Sequence, residues 1–128
     1  MSRDAAQKGQ IPPKRKGIPR LIAALRYSLA GLRSAFRSEE AFRLEVLVLL
    51  IATPIALHLG QTAVEQVLLI GVLVLLLIIE LLNTAVEAVV NRVGTEYHEL
   101  SRQAKDIGSA AVFLGMLLVA LVWTLVLF

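Results

Sequence analysis

Apolar residues run through this chain in three long stretches, at 44–59, 63–90 and 107–128, separated by polar segments. Each approaches or exceeds the roughly 20 residues that a helix needs to cross the hydrocarbon core of a bilayer. The pattern predicts three spanning helices. The first is the shortest and contains Pro54, which predicts a kink or an extension by residues before 44. The second pattern continues from Ala63 to Val93. A helix of that length measures about 46 Å, so its polar end emerges from an apolar core of ~30 Å. Gly94 is placed to terminate it. Residues 95–104 read as a charged loop with room for one helical turn, and the third helix is expected to begin around 101–105.

Upstream, the period changes. Leu21, Leu25, Leu29, Leu32 and Phe36 follow i, i+4, i+8, i+11, i+15, with Arg26, Arg33 and Arg37 towards the other side. This predicts an amphipathic helix over 20–37, lying in the membrane interface. Ser38 is placed to cap the next helix, with Glu39 and Glu40 in its first turn. Residues 1–19, with Pro12, Pro13, Pro19, Gly9, Gly17 and the run Lys14-Arg15-Lys16, read as a flexible basic tail against anionic headgroups. The expected architecture is an all-α membrane protein: a basic cytoplasmic tail at 1–19, then one domain at 20–128 with an N-terminal surface helix and three transmembrane helices.

Composition and charge sharpen this picture. With 57% hydrophobic residues, the chain is too apolar for an ordinary soluble core. Of its 13 Lys and Arg, ten precede the first span, three lie between the second and third, and none lies between the first and second. The positive-inside rule then puts the N-terminus and the 91–106 loop in the cytoplasm and the C-terminus on the far side. The turn at 58–66 carries only His58 and Glu65 as ionisable groups and reads as a simple connection. The net charge of +3 is explained by this orientation rather than by nucleic-acid binding. No secretory signal is read in the first 20 residues. The absence of cysteine excludes disulfide and thiol chemistry.

The chemistry concentrates at 80–106. Glu80 and Glu87 sit inside an apolar helix, where a carboxylate costs about 2.5 kcal/mol or more near the bilayer centre and is a functional-site hypothesis by default. Glu80, Glu87 and Asn91 are spaced by 7 and 4 and fall within roughly 20° of one line along a helix. Asn83 and Thr84 flank that line. The stripe descends from the membrane surface, with Glu80 about 10 Å deeper than Glu87. Glu87 suits metal or phosphate chemistry at the water boundary, and Glu80 suits proton work on a group presented from the lipid.

Plainer readings stand beside these. Asn83 and Thr84 serve equally well as hydrogen-bonding glue between helices. Glu39 and Glu40 complement a helix dipole, or one of them joins Glu87 on a divalent cation; Mg²⁺ commonly takes one or two carboxylates plus nucleotide phosphates. Glu45 reads as the partner of Arg43 or another interfacial cation. Lys105 and Asp106 form an interface anchor, or the lysine faces the acidic stripe and neutralises transferring phosphate. Tyr97 and His98 are interfacial residues, or His98 contacts a nucleotide. Gly108-Ser109-Ala110-Ala111 with Gly115 is a small-residue face for close helix packing. No P-loop and no Gly-x-Gly-x-x-Gly motif occurs, so a phosphoryl-transfer site here is neither of those kinds.

Three segments together resemble the small bacterial integral-membrane diacylglycerol kinases. They are Glu80-Leu-Leu-Asn83-Thr-Ala-Val-Glu87-Ala-Val-Val, Gly94-Thr-Glu96-Tyr97-His98-Glu99-Leu and Ala104-Lys105-Asp106-Ile-Gly108-Ser109-Ala-Ala-Val. Tyr27-Ser28, Gly31-Leu32-Arg33 and Glu39-Glu40-Ala41-Phe42-Arg43 fit the same family, and the likeness runs from about Arg20 to the C-terminus. The resemblance implies a homotrimer of the bacterial inner membrane. It implies transfer of the ATP γ-phosphoryl group, with Mg²⁺, to the hydroxyl of diacylglycerol, giving phosphatidic acid. It makes Glu80 the general base and Glu39 and Glu87 the metal ligands. Arg20, Tyr27, Glu96, His98, Lys105 and Asp106 then belong to the nucleotide region, and Asn83 and Ser109 to the lipid substrate. The chain departs from the family at Asn91, where an acid is common.

Three rival readings remain. Another lipid-alcohol kinase, above all an undecaprenol kinase, shares the superfamily, although the 105–112 stretch looks more like the diacylglycerol branch. A proton-conducting membrane subunit would use Glu80 and Glu87 as its path, but the far half of the second helix, 67–79, has no ionisable residue. A membrane adaptor acting through the basic tail leaves the buried acids unexplained.

Overall fold

The computed structural model describes residues 11, 13 and 16–128. Most of the expected basic tail lies outside the described residues. The described chain is helical, with α1 at Ile18–Ser38, α2 at Glu40–Leu59, α3 at Ala63–Val93 and α4 at Glu99–Leu127. It divides into two compact units, Met1–Arg33 and Ser34–Phe128. In the first unit Leu21, Leu25 and Leu29 of α1 are exposed. Helices α2, α3 and α4 are each long and apolar enough to cross a membrane.

The join between α1 and α2 differs from the expected one. Ser38 does not cap α2: its Oγ donates to the Ser34 carbonyl at 2.9 Å and so completes the last turn of α1. Glu39, extended at φ −115° and ψ 112°, is the residue at the N-cap, and its side chain makes no capping bond. Its carboxylate is therefore free for other work, while Glu40 alone occupies the first turn. Arg43 closes the join by donating to the Phe36 and Arg37 carbonyls at 2.9 and 3.0 Å, two of the acceptors that a helix end leaves open. Helix α2 then continues through Pro54 to Leu59.

The turn into α3 is tightly specified. Thr62 caps the helix by accepting from the Glu65 N–H, and Glu65 returns the favour by accepting from the Gln61 N–H at 2.7 Å. Gln66 donates to the carbonyls of Leu57 and Gly60, stitching the end of α2 to the start of α3. Helix α3 ends at Val93 with Gly94 as its cap, as the pattern predicts.

Helix α4 begins earlier than expected, at Glu99. The cause is His98, whose Nδ1 accepts from the Leu100 N–H at 3.1 Å and whose carbonyl accepts from the Arg102 N–H. An ion pair between Glu99 and Arg102 at 3.2 Å reinforces the first turn. The charged loop thus shrinks to 94–98, and residues 99–104 of the segment expected to be loop are helix.

Helix α3 is the centre of the second unit and packs against both α2 and α4. Its buried residues Leu69, Val72, Leu73 and Leu76 recur at helical spacing, so one stripe of α3 makes the core. Phe42 and Ala56 from α2 and Gly115 from α4 are also buried. At the end of the pair near Leu69, Trp123 of α4 donates its indole N–H to the Leu69 carbonyl at 3.1 Å. Gly115 lets α4 approach closely: a Cβ there would stand 3.0 Å from Leu76 Cδ1 and 3.1 Å from Ile79 Cδ1.

Candidate active site

The core stripe of α3 does not stop at Leu76. Eleven residues on from Leu69, three turns, it reaches Glu80, which is only 5% exposed. A carboxylate is thus built into the line of side chains that holds the helices together. Glu87 and Asn91 continue that line towards the Val93 end, as their spacing predicts. Asn83, one turn on from Glu80, donates its amide N–H to Glu87 Oε1 at 3.4 Å.

Glu39 and Glu87 both lie within electrostatic reach of Glu80, and Glu80 lies within reach of Glu45 on α2. The expected pairing of Glu45 with Arg43 is not made, because the Arg43 guanidinium is committed to the α1 carbonyls. Instead Glu45 Oε2 is buried without a partner. Its signal in the sequence was the one used for Glu80, a carboxylate inside a span-length apolar stretch. Among the described residues, no group of three or more His, Asp or Glu side chains gathers closely enough to hold a metal unaided. Glu39 and Glu87, each within electrostatic reach of Glu80, are hard oxygen donors of the kind that Mg²⁺ takes when phosphate oxygens complete the shell.

Two recesses adjoin the stripe. An apolar one of about 400 Å³ opens between α3 and α4, lined by Ile79, Leu82, Asn83, Val86, Ile107 and Gly108 among others. Asn83 is its polar residue. The Asn83 Oδ1 is buried without a hydrogen bond and presses on Gly108, where an added Cβ would collide with it. The Thr84 hydroxyl is likewise buried and unpartnered. Ser109 does not line this recess; it is exposed on a different side of α4 from Gly108.

The second recess, about 370 Å³, lies where the 94–98 loop joins α3 to α4, and is walled by polar groups including Asn91, Glu96, His98, Arg102 and Lys105. Lys105 reaches across it to donate to Asn91 Oδ1 at 2.8 Å. Tyr97 also lines it and bonds to Glu99 at 3.4 Å. The structure therefore brings Glu96, His98 and Lys105 together, whereas Asp106 stands exposed outside the recess. His98 has a folding role as well, as the α4 cap. Arg20 and Tyr27 are exposed on the part of α1 that belongs to the first unit.

An apolar recess meets the acidic stripe from the side and a cationic one meets it from the end. Such a site can receive an apolar group at one recess and a phosphate at the other, with the carboxylates of Glu80 and Glu87 on the same helix but lining neither recess.

Comparison with known proteins shows the family. The family model for prokaryotic diacylglycerol kinase matches residues 26–127. The diacylglycerol kinase of Haemophilus influenzae is 49% identical over 115 residues, covering 90% of this chain and 98% of that protein. That of Escherichia coli K12 is 48% identical over 111 residues, covering 87% and 91%. That of Pseudomonas aeruginosa is 46% identical over 111 residues, covering 87% and 90%.

Proposed function

The chain belongs to the prokaryotic diacylglycerol kinase family, a multi-pass membrane kinase by that membership, and from this premise we propose how its residues divide the work. The reaction is phosphorylation of diacylglycerol. The phosphoryl donor is ATP, taken with Mg²⁺, and the product is phosphatidic acid. The observation that carries this reading is Glu80: a carboxylate 5% exposed, on the core line of a membrane-length helix whose continuation towards Val93 is flanked by an apolar and then a cationic recess.

Diacylglycerol lies with its chains in the bilayer and its hydroxyl at the apolar recess, oriented by Asn83, whose free carbonyl oxygen accepts a hydrogen bond. Ser109 lies one residue beyond the recess and contacts substrate through the lipid phase or a neighbouring chain. Glu80 takes the hydroxyl proton as the oxygen bonds to the γ-phosphorus. The bond from that phosphorus to the bridging oxygen breaks, and ADP leaves. Glu39 and Glu87 would hold Mg²⁺, which would supply positive charge against the phosphate oxygens when bound. Lys105 opposes the same charge from the end of the stripe. Glu96 and His98 line the nucleotide site, with Asp106 beside it.

The exposed apolar residues of α1 support a surface helix lying in the interface, and the asymmetry of Lys and Arg supports a cytoplasmic N-terminus in the inner membrane. Apolar side chains left exposed along α2 and α4 leave room for lipid and for two further copies in a homotrimer. The test is a transfer assay on purified protein with labelled ATP, offering diacylglycerol and undecaprenol in parallel, with Mg²⁺ or with excess chelator. Label should pass to diacylglycerol, and only with the metal. Preferential labelling of undecaprenol would move the chain to that branch, and full activity in chelator would remove the metal from the scheme.

A further inference from the structure

The cationic recess holds two positive side chains with different partners. Arg102 is paired with the Glu99 carboxylate at 3.2 Å. Lys105 is held at 2.8 Å by a neutral amide oxygen, that of Asn91, 14 residues earlier on the facing helix. Among the described residues Arg102–Glu99 is the side-chain ion pair, and Lys105 makes none. A lysine carries a long, rotatable stem, and an exposed one left alone samples many rotamers. The Asn91 bond removes that freedom. It ties α4 to α3 across the mouth of the recess and directs the ammonium over the space between them. An amide achieves this without cancelling the charge, whereas a carboxylate at the same position would form an ion pair that an incoming phosphate must break.

We propose that Asn91 is a positioning residue for phosphoryl transfer: a neutral tether that fixes Lys105 over the nucleotide recess and leaves its full charge for the phosphates. This rests on the reading of Lys105 as a phosphate contact, so the experiment separates the two. The affinity of the full-length protein in lipid–detergent micelles for a non-hydrolysable ATP analogue with Mg²⁺ is measured at low and high salt. The variants are Lys105→Gln, Asn91→Leu, Asn91→Asp and the Asn91→Leu/Lys105→Gln double. Lys105→Gln should weaken binding, and unchanged binding would remove Lys105 from the nucleotide site altogether. Given that loss, Asn91→Leu should weaken binding about three- to fivefold, the scale of one exposed polar contact, and should add nothing in the Lys105→Gln background. Wild-type affinity in Asn91→Leu, or an equal loss with and without Lys105, would overturn the tether while leaving the lysine in place. Asn91→Asp keeps the acceptor and the shape, and so tests charge even if Asn91→Leu fails to fold. It should bind about threefold more weakly at low salt, with the gap closing at high salt, as a screened charge effect does. Equal or tighter binding by Asn91→Asp at low salt would show that neutrality plays no part.

Discussion

Near Leu69 and Trp123, the α3–α4 pair is held by Leu69, Leu73 and Leu76 on one helix and Gly115 on the other, and Trp123 gives its one polar hydrogen to a backbone carbonyl. Towards Val93, the same two helices face each other with Asn83 against Gly108 and Asn91 against Lys105, while Glu80 occupies a core position. The first region leaves no side-chain polar atom buried and unpartnered among the described residues. The second leaves Asn83 Oδ1 and Thr84 Oγ1 so, and Glu45 Oε2 on α2 is in the same condition. Unmet polar groups in a membrane protein are costly, and a fold keeps them where something else comes to meet them. If one end of the pair serves cohesion and the other the substrate, as proposed, substitutions at the two ends should separate accordingly.

The largest effect is expected at Glu80. Glu80→Gln keeps the size and much of the hydrogen bonding but cannot accept a proton. Transfer should fall about 10²–10⁴-fold, the usual worth of a general base, with nucleotide binding and unfolding midpoint close to wild type. Near-normal turnover would return Glu80 to the cohesive class and erase the contrast at its centre.

Glu87→Gln should act differently, because it removes a charged oxygen ligand and leaves the base. The metal–nucleotide complex should weaken by about tenfold, which corresponds to about 1.4 kcal/mol of lost interaction. A Mg²⁺ titration of turnover, read as a shift in half-saturation, checks this. A variant that loses maximal rate at unchanged metal dependence would assign Glu87 some other task.

The glycines offer a matched pair. A methyl group at Gly108 runs into Asn83 Oδ1, and Asn83 is itself tied to Glu87. Gly108→Ala should cut transfer about tenfold through a raised KM for diacylglycerol, since overpacking costs typically 1–3 kcal/mol and here falls on the polar recess. Gly115→Ala meets only the ends of Leu76 and Ile79, which give by a few tenths of an ångström. Its turnover should stay within about twofold of wild type, with the cost appearing in stability instead. Equal losses of activity in both variants would mean that the helix pair responds as one rigid body.

The parts of this plan that follow from periodicity were legible in the sequence. Three apolar runs became α2, α3 and α4, and the 80, 87, 91 spacing placed one stripe correctly because a straight helix fixes it. The parts that depend on which partner wins a hydrogen bond were not. Ser38 could accept from an N–H of α2 or donate to the Ser34 carbonyl, and the carbonyl won; His98 looked like a ligand and also proved to be a cap. Arg43 looked like a partner for Glu45 until the α1 carbonyls claimed it. Asn91 read as the loss of an acid, and its bond to Lys105 emerges only when α3 and α4 are set side by side. Each of these is a competition among nearby groups, decided by three-dimensional distance rather than by residue type.

The smallest effect should come from Trp123→Phe, and it tests the cohesive end directly. The indole N–H reaches the carbonyl of Leu69, a residue with no exposed surface, from 54 positions away in sequence. Phenylalanine retains an aromatic ring at the contact and removes only that donor. The carbonyl it abandons still lies within the α3 backbone ladder, so no buried acceptor is stranded without a partner. Hydrogen bonds between membrane helices average about 0.6 kcal/mol when measured by double-mutant cycles, because the separated helices also find partners in the membrane. A stability loss of about that size is therefore expected in a reversible denaturation titration, with kcat and both KM values unchanged. A fall in turnover beyond about twofold, in protein that keeps its wild-type assembly, would show that the Trp123–Leu69 contact sets the spacing at Asn83 and Gly108, and that the two ends of the pair are mechanically one.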